Sequence, residues 1–167
     1  MIPTQVYIGL GGNIGNTPFV LQQALTLIAK TPQIHHVEAS KFYLTTPVSS
    51  LPQNHYVNAT CRFQTHLTVH QLLESLQQIE RTLGKTPKEK NSPRIIDLDI
   101  LFFGTEEYHL THLDIPHPRW NERLFVLAPL LDLTTHIEVP SRGPIDLKEL
   151  ITNFTNTHNE TVLLFKG

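Results

Sequence analysis

An α+β sandwich of ferredoxin-like plan, a βαββαβ core with a C-terminal extension, is the fold the sequence predicts. Three observations carry it. Two stretches with apolar residues at helical spacing, near residues 18–30 and 68–83, are each flanked by short β-rich runs. The order of runs and helices lets each strand–helix–strand half cross over right-handed onto one sheet, with both helices on one face. The chain has 167 residues, 40% of them hydrophobic, enough for one packed core but not two. Residues 1–167 are therefore read as a single domain.

The elements follow in order. Val6–Leu10 is β-branched and aromatic and reads as a buried strand, which Gly11, Gly12 and Gly15 are expected to break into a loop. Thr17 is placed as the cap of the first helix and Pro18 in its first turn, with Pro32 as the stop. Residues 34–44 read as one long strand, 45–55 as a proline- and serine-bearing loop, and 56–65 as an alternating strand. Thr68 with Gln71 three residues on forms a capping box for the second helix, whose apolar face is Val69, Leu72, Leu73, Leu76, Ile79 and Leu83. Gly84 ends it. A polar loop over 84–93 leads into an apolar strand, Ile95–Phe103, closed by Gly104. The last ~60 residues suggest short strands, a helix near Glu122–Leu133 and a less regular tail.

Thirteen Lys and Arg against 15 Asp and Glu give a formal net charge of −2. That balance argues against salt-driven nucleic-acid binding, which needs a basic surface. With Cys61 as the single cysteine, an internal disulfide is impossible. There is no run of membrane-spanning length and no signal-like N-terminus, so a cytoplasmic protein is expected, a monomer by default.

The chemistry is concentrated in Asp97-Leu98-Asp99. On a strand the two aspartates share a face, with Cα atoms about 6.5–7 Å apart. Two like charges that close repel each other and lose hydration, and a divalent cation relieves both penalties. Hard oxygen ligands favour Mg²⁺ or Mn²⁺ over zinc. The alternative is a strand with one face simply turned to water; Asp is a poor strand former, which favours the metal. Arg94 stands at the mouth of this strand, after a loop holding Lys85, Lys88 and Lys90. Cations beside a carboxylate-held metal suit a polyphosphate.

Other motifs are weaker. Gly9, Gly11, Gly12 and Gly15 follow a strand, but the spacing misses the dinucleotide-binding fingerprint, which needs glycine at position 14. They make a turn, or let a flat ligand approach the backbone. His66 and His70 are four apart, yet the expected cap at Thr68 keeps them off one helical face. His117, between two prolines and followed by Arg123, is either aimed at a site or part of a rigid surface turn.

Taken together, Ser92-Pro-Arg94-Ile-Ile-Asp97-Leu-Asp99-Ile-Leu101 resembles the signature of the 6-hydroxymethyl-7,8-dihydropterin pyrophosphokinases. Ile8–Asn13, Phe42–Pro47, Tyr56–Ala59 and Ile115–Leu130 match in order, so the resemblance covers nearly the whole chain. It implies pyrophosphoryl transfer from ATP to the hydroxymethyl group of the dihydropterin, with AMP released and two Mg²⁺ ions held by Asp97 and Asp99. It places Thr45, Thr46, Val48, Tyr56, Asn58 and Phe125 at pterin-pocket positions. Gln77, Glu80, Lys85, Arg94, Ile100, His117 and Arg123 fall at ATP positions, Arg94 being counted with the aspartates as catalytic. The partners implied are small molecules, not nucleic acid or membrane. There are departures: Asn91 stands where tryptophan is common, lysines replace arginines in the 84–93 loop, and Gly12 replaces a serine. Two rival readings remain, a nucleotidyltransferase and a non-catalytic module that keeps only the pocket.

Overall fold

The structure is a computed structural model that describes residues 2–45, 54–87, 92–157 and 162–166. Its centre is strand β1 (Thr4–Gly12), hydrogen-bonded antiparallel to β4 (Tyr56–Thr65) on one side and to β5 (Asp97–Phe103) on the other. Helix α1 (Thr17–Lys30) follows β1, and α2 (Val69–Thr82) joins β4 to β5. Val6, Ile8 and Leu10 of β1, with Leu98 and Ile100 of β5, face these helices and meet Leu21, Ile28, Leu72 and Leu76 in one core. Period-2 alternation on the strands and helical spacing on α1 and α2 thus meet as the sequence requires.

The second β segment is divided. β2 (Ile34–Ala39) and β3 (Tyr43–Thr45) pair with successive parts of the same edge of β4. The predicted single strand over 34–44 fails because extra residues are inserted twice. His36 takes a positive φ of 59° at one register shift, and Ser40 turns the chain at the other, exchanging bonds with Thr60 at 2.8 and 2.9 Å. Asp132 fixes the second break by accepting from the Lys41 amide and the Tyr43 hydroxyl.

Other boundaries move as well. β1 runs on to Gly12 because pairing on both sides holds the glycines extended. Asn16, not Thr17, caps α1, its side chain accepting from the Phe19 amide. The Thr68–Gln71 capping box of α2 is present, and Gly84 at φ 101° turns the chain out of the helix. Ile95 and Ile96 precede β5 and are not part of it.

The C-terminal region lies partly on the opposite face of the sheet, partly against the helix-side core, where Tyr108, Leu113 and Ile115 pack, and partly in the sheet itself, where Leu163 and Leu164 pair with Leu44 and Tyr43 of β3. It comprises β6 (Tyr108–Leu110), β7 (Leu113–Ile115), a 3-10 turn (Trp120–Glu122), α3 (Leu124–Leu133), β8 (His136–Val139), β9 (Gly143–Asp146), α4 (Leu147–Thr157) and β10 (Leu163–Leu164). The helix expected near 122 begins at Leu124 because the 3-10 turn occupies the residues before it. α4 falls in the stretch the sequence left irregular. A second core forms here: Trp120 packs edge-on against Phe102 at 5.1 Å, beside fully buried Leu127 and Leu130. Burying each such leucine contributes roughly 1.5–3 kcal/mol. The result is an α+β fold whose six-stranded sheet carries helices on both faces.

Candidate active site

The sheet face toward α3 is built in cross-strand rows. Asn58, Gly11 and Asp97 stand abreast on β4, β1 and β5; Thr60, Gly9 and Asp99 form the next row. The glycines carry no side chain, so a trough opens along β1 between polar groups on one wall and carboxylates on the other, about 9.5 Å apart at two strand spacings. A Cβ on Gly11 would sit 2.5 Å from the Asn58 amide nitrogen, so any side chain there would push the Asn58 amide out of the position that Thr45 holds. Glycines two apart on a strand share one face, and of the two readings the sequence leaves open, a turn or an open approach to the backbone, the register at Gly9 and Gly11 favours the second.

The trough widens into a cleft of about 230 Å³. Besides the residues of the two rows, its walls include Thr45, Tyr56, Arg94, His117, Arg123 and Phe125. The Thr45 hydroxyl donates to the Asn58 side-chain oxygen at 2.8 Å, which leaves the amide NH₂ to point past Gly11. Arg123 lies 5.4 Å over the Phe125 ring, a cation–π contact that ties the two positions together. Burial raises the pKa of the Tyr56 phenol, as does Asp97, while Arg94 opposes; the phenol is neutral and lies between acid and base.

His117 is set by β5. The bulge opposite Tyr7 and Ile8 leaves Leu101 as an extra residue, and its carbonyl accepts from the His117 amide at 3.0 Å. The His117 Nδ1 accepts from the Arg119 amide, so the proton of the neutral ring is assigned to Nε2. Burial, then Arg123 and Arg119, lower its pKa, with Asp114 opposing, and keep the ring neutral at pH 7. Arg94 is placed by Asn13. The Asn13 carboxamide oxygen accepts from the Arg94 amide at 2.8 Å, the Asn13 amide donates to the Arg94 carbonyl at 2.8 Å, and its side chain donates to the Asn54 carbonyl at 3.1 Å.

The acid wall has a third member. Glu80, buried at the end of α2, accepts from the Leu98 amide at 2.8 Å on the outer edge of β5. It also accepts from Lys85, 2.9 Å away, and the same ammonium lies 2.6 Å from Asp97. Burial alone would lower the Lys85 pKa; the bonds to Asp97 and Glu80 outweigh it, and the net shift is upward. Asp99 opens to solvent through the cleft but is otherwise enclosed by protein. Burial first, then Asp97 and Glu80, push its carboxyl up to about 6, against the pull of Lys85 and Arg123.

A carboxyl held above its unfolded value of 3.8 favours folding while protonated, and that contribution is lost as pH rises through about 6. Asp99→Asn is therefore expected to melt higher than the parent at pH 8 in EDTA, with the gain gone near pH 4. The gain is a few degrees, since ~1 kcal/mol shifts a chain of this size by about 2–4 °C and solvent screens the exposed side of the carboxyl. Thermal melts at both pH values check this; an equal gain at both would contradict it.

Not every expected residue reaches the cleft. Gln77 is exposed on α2, one turn before Glu80, and Ile100 points into the helix-side core; neither lines the cleft. Thr46, Val48, Lys88, Lys90 and Asn91 lie outside the described residues. His66 packs edge-on against His35 at 6.2 Å, apart from the site. Among the described residues, no three His, Cys, Asp or Glu are grouped to hold a metal by themselves.

Carboxylates thus face two arginines and a neutral histidine, with an aromatic and amide-lined recess beside them. The chain belongs to the 7,8-dihydro-6-hydroxymethylpterin-pyrophosphokinase (HPPK) family, whose model matches residues 7–135. It is 41% identical over 132 residues to the 2-amino-4-hydroxy-6-hydroxymethyldihydropteridine pyrophosphokinase of Bacillus subtilis (strain 168), covering 79% of each chain. The protein of the same description from Haemophilus influenzae is 34% identical over 150 residues, 90% of this chain and 92% of the other. Among solved structures, a Plasmodium falciparum HPPK-DHPS triple mutant matches in fold, with a TM-score of 0.73 at 16% identity. That match covers 92% of this chain but 44% of the longer one. No helix among the described residues is long and apolar enough to cross a membrane.

Proposed function

We infer that this cleft transfers the pyrophosphoryl group of ATP to the hydroxymethyl group of 6-hydroxymethyl-7,8-dihydropterin in folate biosynthesis. The new bond joins the hydroxymethyl oxygen to the β-phosphorus. The bond from that phosphorus to the oxygen bridging the α-phosphate breaks, and AMP leaves. The observation that carries the reading is the pair of cross-strand rows, which sets Asn58 and Thr60 against Asp97 and Asp99 across a glycine floor.

The pterin belongs on the β4 side. Tyr56 and Phe125 offer aromatic faces, Asn58 an oriented amide for the ring edge, and Thr45 holds that amide in place. The triphosphate belongs on the β5 side, where Arg94 and Arg123 bring fixed charge and the His117 Nε2–H donates to a phosphate oxygen. Glu80 and Lys85 position Asp97 and the edge of β5.

Mg²⁺ fits this wall, and Asp97 and Asp99 are the residues to hold it. Asp97 and Glu80 both raise the Asp99 pKa, the mark of acid charge that the nearby cations balance only in part. Two carboxylates with no third His, Cys, Asp or Glu grouped with them among the described residues also suit ions whose shells are completed by substrate oxygens and water. When bound, two such ions supply charge neutralisation at the β- and γ-phosphates and at the attacking oxygen.

The sheet order β5-β1-β4, with β2 and β3 sharing the far edge of β4, supports reading the core as ferredoxin-like. The same proposal takes residues 1–167 as one pyrophosphokinase domain, monomeric and cytoplasmic.

Product analysis tests the reaction. With ATP, Mg²⁺ and the reduced pterin, AMP should appear in step with the pterin diphosphate. Release of pyrophosphate instead would indicate nucleotidyl transfer, and no turnover would leave a binding module.

A further inference from the structure

We propose that Lys85 is a built-in counter-ion that occupies the place of the divalent cation on Asp97 until a polyphosphate draws it away. The inference rests on reading Asp97 and Asp99 as the cation-holding pair. Its ground is the position of one ammonium group. Lys85 Nζ lies 2.6 Å from Asp97 Oδ1 and 2.9 Å from Glu80 Oε2, with only 24% of its side chain exposed.

The arrangement is fixed from both ends. Glu80 is buried and tied to the Leu98 amide at 2.8 Å, so it cannot follow a moving lysine. The Lys85 backbone is held where Gly84 turns out of α2, its own amide donating to the Glu80 carbonyl at 2.9 Å. The four-carbon stem beyond that anchor is flexible, and its ammonium is a point charge that exchanges partners without a fixed fork to break. An arginine here would hold the carboxylates with paired donors and be harder to displace.

A hard cation and an ammonium cannot both take the same Asp97 oxygen at contact distance, since each repels the other strongly at that range. A free divalent ion must therefore either displace Lys85 from Oδ1 or sit on Asp97 Oδ2 with that ammonium close beside it, and either course weakens its binding. A nucleotide arriving with the ion removes that penalty, because its phosphates accept the displaced ammonium within the reach of the stem. The expected result is weak binding of metal alone and strong binding of metal with nucleotide.

Mn²⁺ titrations followed by the EPR signal of the free ion test this on the full chain, with and without a non-hydrolysable ATP analogue. Without nucleotide, Lys85→Met should bind Mn²⁺ about tenfold or more tightly than the parent, because the competing charge is gone. Lys85→Arg, which keeps the charge, should stay at or below the parent. With the analogue present, the advantage of Lys85→Met should shrink or reverse. In EDTA the methionine variant should also melt lower than the parent and recover on adding Mn²⁺, since its acid cluster is left unbalanced. Lys85→Gln gives the same readings if the methionine variant does not fold.

Unchanged or weaker Mn²⁺ binding by folded Lys85→Met and Lys85→Gln overturns the proposal. If Asp97→Asn and Asp99→Asn still lose Mn²⁺ in the presence of the analogue, that failure leaves the acid pair intact as the metal site. If those two variants bind Mn²⁺ as the parent does, the acid-pair reading itself fails.

Discussion

Asp97→Asn and Asp99→Asn should each lower turnover by about 10³-fold or more while the protein stays folded, the loss expected when charge stabilisation at a transferring phosphoryl group is removed. Both positions sit on β5 with their side chains over the glycine floor, and neither belongs to either apolar core. The amide is nearly isosteric with the carboxylate, so packing is little disturbed. What changes is charge and the capacity to ligate a hard cation. Asp97→Asn also weakens the hold on Lys85, so Asp99→Asn is the cleaner of the two tests. Steady-state AMP release together with a melting curve checks both halves: a slow enzyme that still melts cooperatively fits, and near-parental rates for either variant would contradict the role.

The acid pair was legible because strand alternation is a strong rule: two aspartates at i and i+2 inside an apolar run must share a face. The helices were legible for the same kind of reason, as apolar spacing and the Thr68–Gln71 box each have one structural meaning. The trough was not, because glycine carries two meanings. At Gly9 and Gly11 it leaves a strand bare, and only pairing from both β4 and β5 distinguishes that from a turn. The two breaks between Ile34 and Thr45 were hidden for a related reason. A bulge adds a residue without altering composition, and His36 and Ser40 look like ordinary strand residues until the register of β4 is known. Glu80 is marked in the sequence only by the family resemblance, and helical spacing does not show its burial, which comes from the unpaired edge of β5, a tertiary feature. The Leu101 bulge that seats His117 is likewise visible only in the register.

Asn13→Ala should have the second large effect, on stability and catalysis together. This side chain is 3% exposed and joins segments far apart in sequence. Its carboxamide accepts from the Arg94 amide and donates to the Asn54 carbonyl, and the Asn54 amide returns a bond to the Asn13 carbonyl at 3.3 Å. Truncation leaves a backbone donor at Arg94 and an acceptor at Asn54 without these partners, at a cost of about 1–3 kcal/mol for each group that finds no replacement. The same bonds set where the entry to β5 and the entry to β4 stand, and so where Arg94 and Tyr56 face each other across the cleft. A shift of about 1 Å there is enough for a loss near 10²-fold in kcat/KM. Asn13→Asp keeps the acceptor for Arg94 and loses the donor to Asn54, and should fall between parent and alanine variant. A lower melting temperature with unchanged kcat/KM would show that Asn13 supports the fold without aligning the site.

The most direct test of the acid pair is a crystal of the protein with Mn²⁺ and a non-hydrolysable ATP analogue, with the metal located by its anomalous scattering. Anomalous peaks are expected against the carboxylates of Asp97 and Asp99 and beside the β- and γ-phosphates, with the Lys85 ammonium moved off Asp97 toward phosphate oxygen. A nucleotide bound with its metal elsewhere, and Lys85 still paired to Asp97, would contradict it.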